Sequence, residues 1–236
     1  MKVKILSVLM AAIFWSMTVA AQPMLGVKGG VNWANFQGDY ATEERVNNEM
    51  NKGMTFGFLV DLPLHGNLSL QPELNYLEKG TVLRKYNMFG HYDLTWKYLE
   101  LPVLAKYRFD LGTSNFYLTA GPSLGYAISG ERDIDLWLME VNDEGGTTEL
   151  VTEQGDYSFR SEFDQNGRKD NRLDFGLMFG GGLEFKVGPG MMLLDTRYGM
   201  DFTDNIKFET TAPENYNGTH HRDFMVTVGY GIRLGK

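Results

Sequence analysis

Charged side chains recur at every second position inside runs that are otherwise apolar or small. Lys28, Asp61, Glu73, Glu100, Lys106, Arg108, Asp174, Glu184, Lys186, Asp195, Arg197, Asp201 and Arg233 all have this setting, seven acids and six bases in all. Two chemistries suit such a set. One is a closed network of ion pairs, the other a polar path along which ions move. A buried charge without a partner costs on the order of several kcal/mol, so the near balance of signs favours the network.

The remaining candidates for chemistry are sparser. His220 and His221 stand beside Asp223, but neighbours in an extended chain point to opposite sides, and no third ligand has metal-site spacing. His65 falls in a turn and His91 in or beside a loop. Gly180, Gly181 and Gly182 suit a close backbone approach rather than a phosphate cradle, which would need a helix N-terminus beside it. No cysteine is present, which excludes disulfides, a thiol nucleophile and a lipidated cysteine. These patterns predict no catalytic, cofactor-binding or metal-ligating set and no cofactor.

The elements that must position the charges are strands. In 224–236, Phe224, Val226, Val228, Tyr230, Ile232 and Leu234 alternate with Met225, Thr227, Gly229, Gly231 and Arg233. A period of two gives a strand with two unlike faces. The same alternation predicts strands near 24–36, 53–64, 68–83, 92–109, 116–128, 171–187 and 191–202, eight in total. Short turns follow the second, fourth and sixth strands, and longer polar stretches follow the others. Short turns on one rim and long loops on the other are the arrangement of an outer-membrane barrel. The expected fold is therefore all-β: an eight-stranded antiparallel up-and-down transmembrane β-barrel, with the thirteen charges in its lumen, both termini periplasmic and four external loops. A soluble lipocalin-type barrel is the rival, and it would turn the apolar face inward.

The first residues read as an address. Lys2 and Lys4 precede an apolar stretch over 5–19, and Val19-Ala20-Ala21 supplies small residues for cleavage. Residues 1–21 are expected to be a removed signal peptide, leaving 22–236 as the barrel domain. Loss of the two lysines takes the formal charge from −8 to −10. An acidic exported chain argues against nucleic acid as a partner.

The longest connection, 129–170, holds twelve acids and four bases. Its internal alternation predicts an extension of the fifth and sixth strands above the membrane, with a small hairpin. Leu136, Trp137, Leu138 and Met139 form an apolar cluster there, a candidate contact surface. Tyr40, Tyr76, Tyr86, Tyr92, Trp96, Tyr107, Tyr126, Tyr198, Phe202 and Tyr230 are expected near strand ends or facing outward, as aromatic girdles.

Four segments carry a resemblance. Gly26-Val-Lys-Gly-Gly-Val-Asn-Trp-Ala-Asn-Phe36, Leu70-Gln-Pro-Glu-Leu-Asn-Tyr76, Tyr98-Leu-Glu-Leu-Pro-Val-Leu-Ala-Lys-Tyr107 and Ala120-Gly-Pro-Ser-Leu-Gly125 resemble the PorT-like outer-membrane β-barrel family of the Bacteroidota. The resemblance implies the barrel and the outer membrane, with membrane lipid, lipopolysaccharide and the barrel-assembly machinery as surroundings. One departure is the end, Arg233-Leu-Gly-Lys236, where barrels of this kind usually finish on an aromatic residue. A structural or interaction role through the external loops, toward an external or envelope protein partner, is the expected function. The alternative is a narrow channel or a component of an envelope transport or secretion complex.

Overall fold

The computed structural model describes residues 22–38, 46–85, 90–142, 145–165, 167–212, 216 and 218–235. Residues 1–21, Tyr40 and Tyr86 lie outside these. Eight long strands form the wall: β1 (Met24–Gly38), β2 (Val46–His65), β3 (Leu68–Lys85), β4 (Gly90–Asp110), β5 (Ser114–Asn142), β8 (Leu173–Val187), β9 (Gly190–Asp201) and β11 (Thr219–Arg233). Three further strands, β6 (Gly145–Asp156), β7 (Arg168–Asp170) and β10 (Ile206–Phe208), belong to the loops of one rim.

Each wall strand pairs antiparallel with the next one in the wall. The ring closes where β1 meets β11, with Met24 opposite Arg233 and Gly38 opposite Thr219. Closure leaves no open edge in the wall, so every strand has two neighbours for its backbone groups, as a hydrocarbon surround requires. At one rim, Gly66, Gly112 and Gly188 take φ of 55°, 87° and 59°, a left-handed turn conformation open to glycine.

The two faces of the wall decide its solvent. Phe58 on the outer face is 62 % exposed, and two strands away Lys106 on the inner face is 0 % exposed. Val27, Leu101, Leu118, Phe175 and Val228 are exposed in the same outer belt. This polarity is the reverse of a soluble barrel's, and the lipocalin-type alternative falls with it.

The long connection departs from expectation in one respect. Of the two strands expected to extend, only β5 does, to Asn142, and the hairpin partner that returns along it is β6, with Asn142 opposite Gly145 and Glu131 opposite Asp156. β8 begins only at Leu173. β5 is 29 residues long, against about 9–11 for a membrane crossing, so most of its surplus stands outside. β4 follows it as far as Gly90 opposite Leu136. β3 and β2 continue the same sheet, with Arg84 opposite His91 and Val46 opposite Lys85, so β4, β5 and β6 form the outermost ribbon of a wall that itself rises on this side.

Candidate functional site

Three layers of ion pairs fill the lumen. Nearest the short-turn rim, Lys106 donates to Asp61 (3.0 Å) and to Glu184, and Arg108 bonds both carboxylates and the Ser69 hydroxyl (2.8 Å). The Lys106 ammonium also lies 4.1 Å from the ring centre of Tyr117, which packs with Met24, Leu59 and Leu193.

In the middle layer Glu73 is the hub. It accepts from Lys28 (2.6 Å), Gln71 (2.6 Å), Asn75 (3.0 Å) and Arg197 (2.9 Å). Arg197 also reaches Asp195 at 2.7 Å. Leu104, Met178 and Met225 fill space inside the wall as a separate apolar cluster.

The upper layer is centred on Lys79. Its ammonium donates to Asp201 (2.7 Å) and Glu100 (3.1 Å) and stands 3.3 Å from Asp223. Asp174 is buried as well. Above it, Tyr98 and His221 meet through Oη and Nε2 at 3.2 Å, both fully buried.

Of the thirteen charges expected inside, ten are buried in these layers, and Arg108 is half-buried at the rim. Lys186 and Arg233 have inward parity but lie exposed at the short-turn end, below the last closed layer. Lys79, Asp223 and His221 are lumen groups missing from that set. Each continues a parity already present: Asn75, Leu77, Lys79 on β3 and Met225, Asp223, His221 on β11. Lys79 falls within the strand predicted over 68–83, and three more residues ahead of the strand predicted from 224 would have reached Asp223 and His221. His221 is therefore not on a solvated strand start, because Phe36 at 4.4 Å and Trp96 at 6.0 Å cover its ring. Trp96 is likewise inside the barrel mouth and not in a girdle, since it sits on the parity of Tyr98 and Glu100. Tyr107, Tyr126 and Phe202 do face outward. His65 lies exposed beside the turn glycine Gly66.

The segment after β6 folds back over the mouth. Tyr157 bonds its backbone N–H to Gly130 (2.8 Å), and the rings of Tyr157 and Phe159 pack on Trp96 at 5.9 and 5.0 Å. Asp170 fastens this cap. It accepts from the Tyr157 hydroxyl (2.8 Å), the Arg160 backbone (2.8 Å) and the Arg160 guanidinium (3.1 and 2.7 Å). Hydrogen bonding to Asp170 carries the Arg160 guanidinium above its ordinary pKa. β7 then pairs with β10, which ties the cap to the loop after β9.

Between cap and mouth lies a cavity of about 450 Å³, walled by Phe36, Trp96, Tyr157, Arg160, Asp170 and Asn205 among others. That volume is in the range of small-molecule sites. The backbone of Leu136, Trp137, Leu138 and Met139 runs in the β4–β5–β6 ribbon, and their side chains lie outside what the structure describes, as do those of His91 and Tyr92. Among the described residues no group of three or more His, Asp or Glu could hold a metal ion.

A closed wall, an apolar outer belt and a charged interior define an integral barrel of the outer-membrane kind. The chain belongs to the family described as outer membrane protein beta-barrel domain, whose model matches residues 20–207. β11 lies beyond that stretch and completes the ring. No curated protein sequence matches the chain. Among solved structures it is similar to Neisserial surface protein A, at 15 % identity and TM-score 0.45, over 89 % of this chain and 97 % of that one. It is also similar to Ail, the attachment invasion locus protein of Yersinia pestis, in complex with the heparin analogue sucrose octasulfate. There the values are 12 % identity and TM-score 0.41, over 89 % and 99 %. The outer membrane protease OmpT of Escherichia coli follows at 9 % and 0.37, over 92 % and 99 %.

Proposed function

We propose that this barrel is a sealed anchor whose work is done outside the cell by the ribbon and the cap. The observation that carries this reading is the lumen. Three successive layers of paired charges, interleaved with apolar clusters, occupy an interior that in an eight-stranded barrel is only wide enough for side chains. A narrow channel would need a continuous wet path past Lys106, Arg197 and Lys79, each of which is held by at least two carboxylates. The external ribbon and cap have no such internal reason to exist. They extend β5 far past the length needed to cross a bilayer and enclose a cavity.

In this reading the partner is an external or envelope protein or its glycan. Outer-membrane lipid and lipopolysaccharide surround the belt, and the barrel-assembly machinery inserts it. Residues 1–21 are a leader removed after Ala21. Kinship with the PorT-like barrels of the Bacteroidota belongs to the same proposal and rests on the four motifs quoted above.

The chain has no native cysteine, so a single Thr147→Cys on β6 can be labelled alone. A membrane-impermeant maleimide should label it on intact cells. Labelling only after lysis would place the ribbon on the wrong side and end the proposal.

A further inference from the structure

Buried polar groups in folded proteins nearly always have a partner, and an orphan asks for one. In the wall of the cavity under the cap, three N–H donors have none: the indole Nε1 of Trp96, the amide Nδ2 of Asn205 and Nε of Arg132. They come from three separate elements, β4, the loop before β10 and β5. All three are donors. A ligand that completes them must therefore bring acceptor oxygens.

The charges around the cavity narrow the class. Arg160 is taken up by Asp170 and Asp164, and Arg132 by Glu153. Asp170 already accepts four hydrogen bonds. With its ions paired internally, the wall offers no free guanidinium pair to grip a carboxylate or phosphate. What it presents is two neutral N–H groups, those of Trp96 and Asn205, and the Nε of an Arg132 guanidinium whose charge Glu153 already meets, together with the aromatic carbon of Phe36, Trp96 and Tyr157. Acceptor oxygens on a compact ring with an apolar C–H face match that wall. Resting on the outward-facing role proposed above, we infer that the cavity is a binding site for a neutral pyranose sugar unit, with its hydroxyl or acetamido oxygens accepting from Asn205 and Trp96.

The test uses the full barrel folded in detergent micelles and ligand-detected saturation-transfer NMR. Glucose and N-acetylglucosamine are the probes, and glucuronate is the charged comparison. At least one neutral sugar should receive saturation and bind in about the millimolar range, ahead of glucuronate. Asn205→Leu should weaken it about tenfold, the value of one hydrogen bond's worth of binding energy. Leu94→Trp, which fills the cavity from the β4 wall, should abolish transfer, and it serves as the deciding variant where Asn205→Leu does not fold. Heat-modifiable gel mobility reports folding of each. No transfer to either neutral sugar, preference for glucuronate, or transfer unchanged in the folded variants would each overturn the site. A sealed lumen and an outward-facing ribbon would survive that result, so the two proposals fail separately.

Discussion

Lys79 on β3 donates to Asp201 on β9 at 2.7 Å, across the lumen and across 122 residues of sequence. The contact joins opposite walls of the barrel and cannot form until the ring is nearly closed. Lys79 also holds Glu100 and Asp223, which makes it the counter-charge of the upper layer.

Removing that counter-charge should be costly. Lys79→Met leaves three buried carboxylates facing one another, and breaking a buried pair from one side costs about 3–5 kcal/mol. Urea unfolding of the refolded barrel, followed by gel mobility, should show the midpoint fall accordingly. The double variant Lys79→Met with Asp201→Asn should lose less than the two single variants summed, because the residues are coupled. Additive losses would mean the contact is incidental.

The clasp should be local. Asp170→Asn removes the charge that four hydrogen bonds converge on, and charge-assisted bonds of this kind are worth about 1.5–3 kcal/mol each. Trypsin added to proteoliposomes should then cut at Arg168 or Lys169 several times faster than in the parent. The mobility shift of the barrel on boiling should not change. A barrel that unfolds with the clasp would show that cap and wall are one cooperative unit.

Backbone approach at Gly182 should be intolerant. A Cβ there would lie 2.2 Å from the Leu194 carbonyl oxygen and 2.5 Å from the Tyr117 hydroxyl. Gly182→Val should give no heat-modifiable folded band. Gly29→Ala, where the nearest atom to the new Cβ is 3.7 Å away, should fold as the parent does, measured on the same gel.

The wall was readable because a membrane barrel repeats one rule, apolar out and polar in, on every strand. On the outer face, Phe224 to Ile232 on β11 and Leu173 to Phe179 on β8 follow it without a break, while the inner face admits Met225 and Met178 among its polar and small residues. The rule fades at the upper rim, where the outer face leaves the hydrocarbon and no longer selects apolar residues. Glu78 and Lys79 are adjacent charges on opposite faces of one strand, and His220 and His221 are adjacent histidines. Their inward parity follows from the strand below them, but the residue types do not mark which member of each neighbouring pair points in. The cap was invisible for a different reason. Asp170 is brought beside Asn205 by the single three-residue pairing of β7 with β10, too short to leave a period, and Tyr157 and Arg160 are fastened to Asp170 by hydrogen bonds. At the lower rim the parity of Lys186 and Arg233 was legible, but parity does not reveal where the closed interior ends.

The central claim is that the lumen is shut. Conductance of the purified barrel in a planar lipid bilayer tests it most directly. The account predicts a bilayer that stays at its baseline in molar salt, with no steady steps. Discrete, ohmic, single-channel steps that scale with protein concentration would contradict it and would make the layered charges a path instead of a plug.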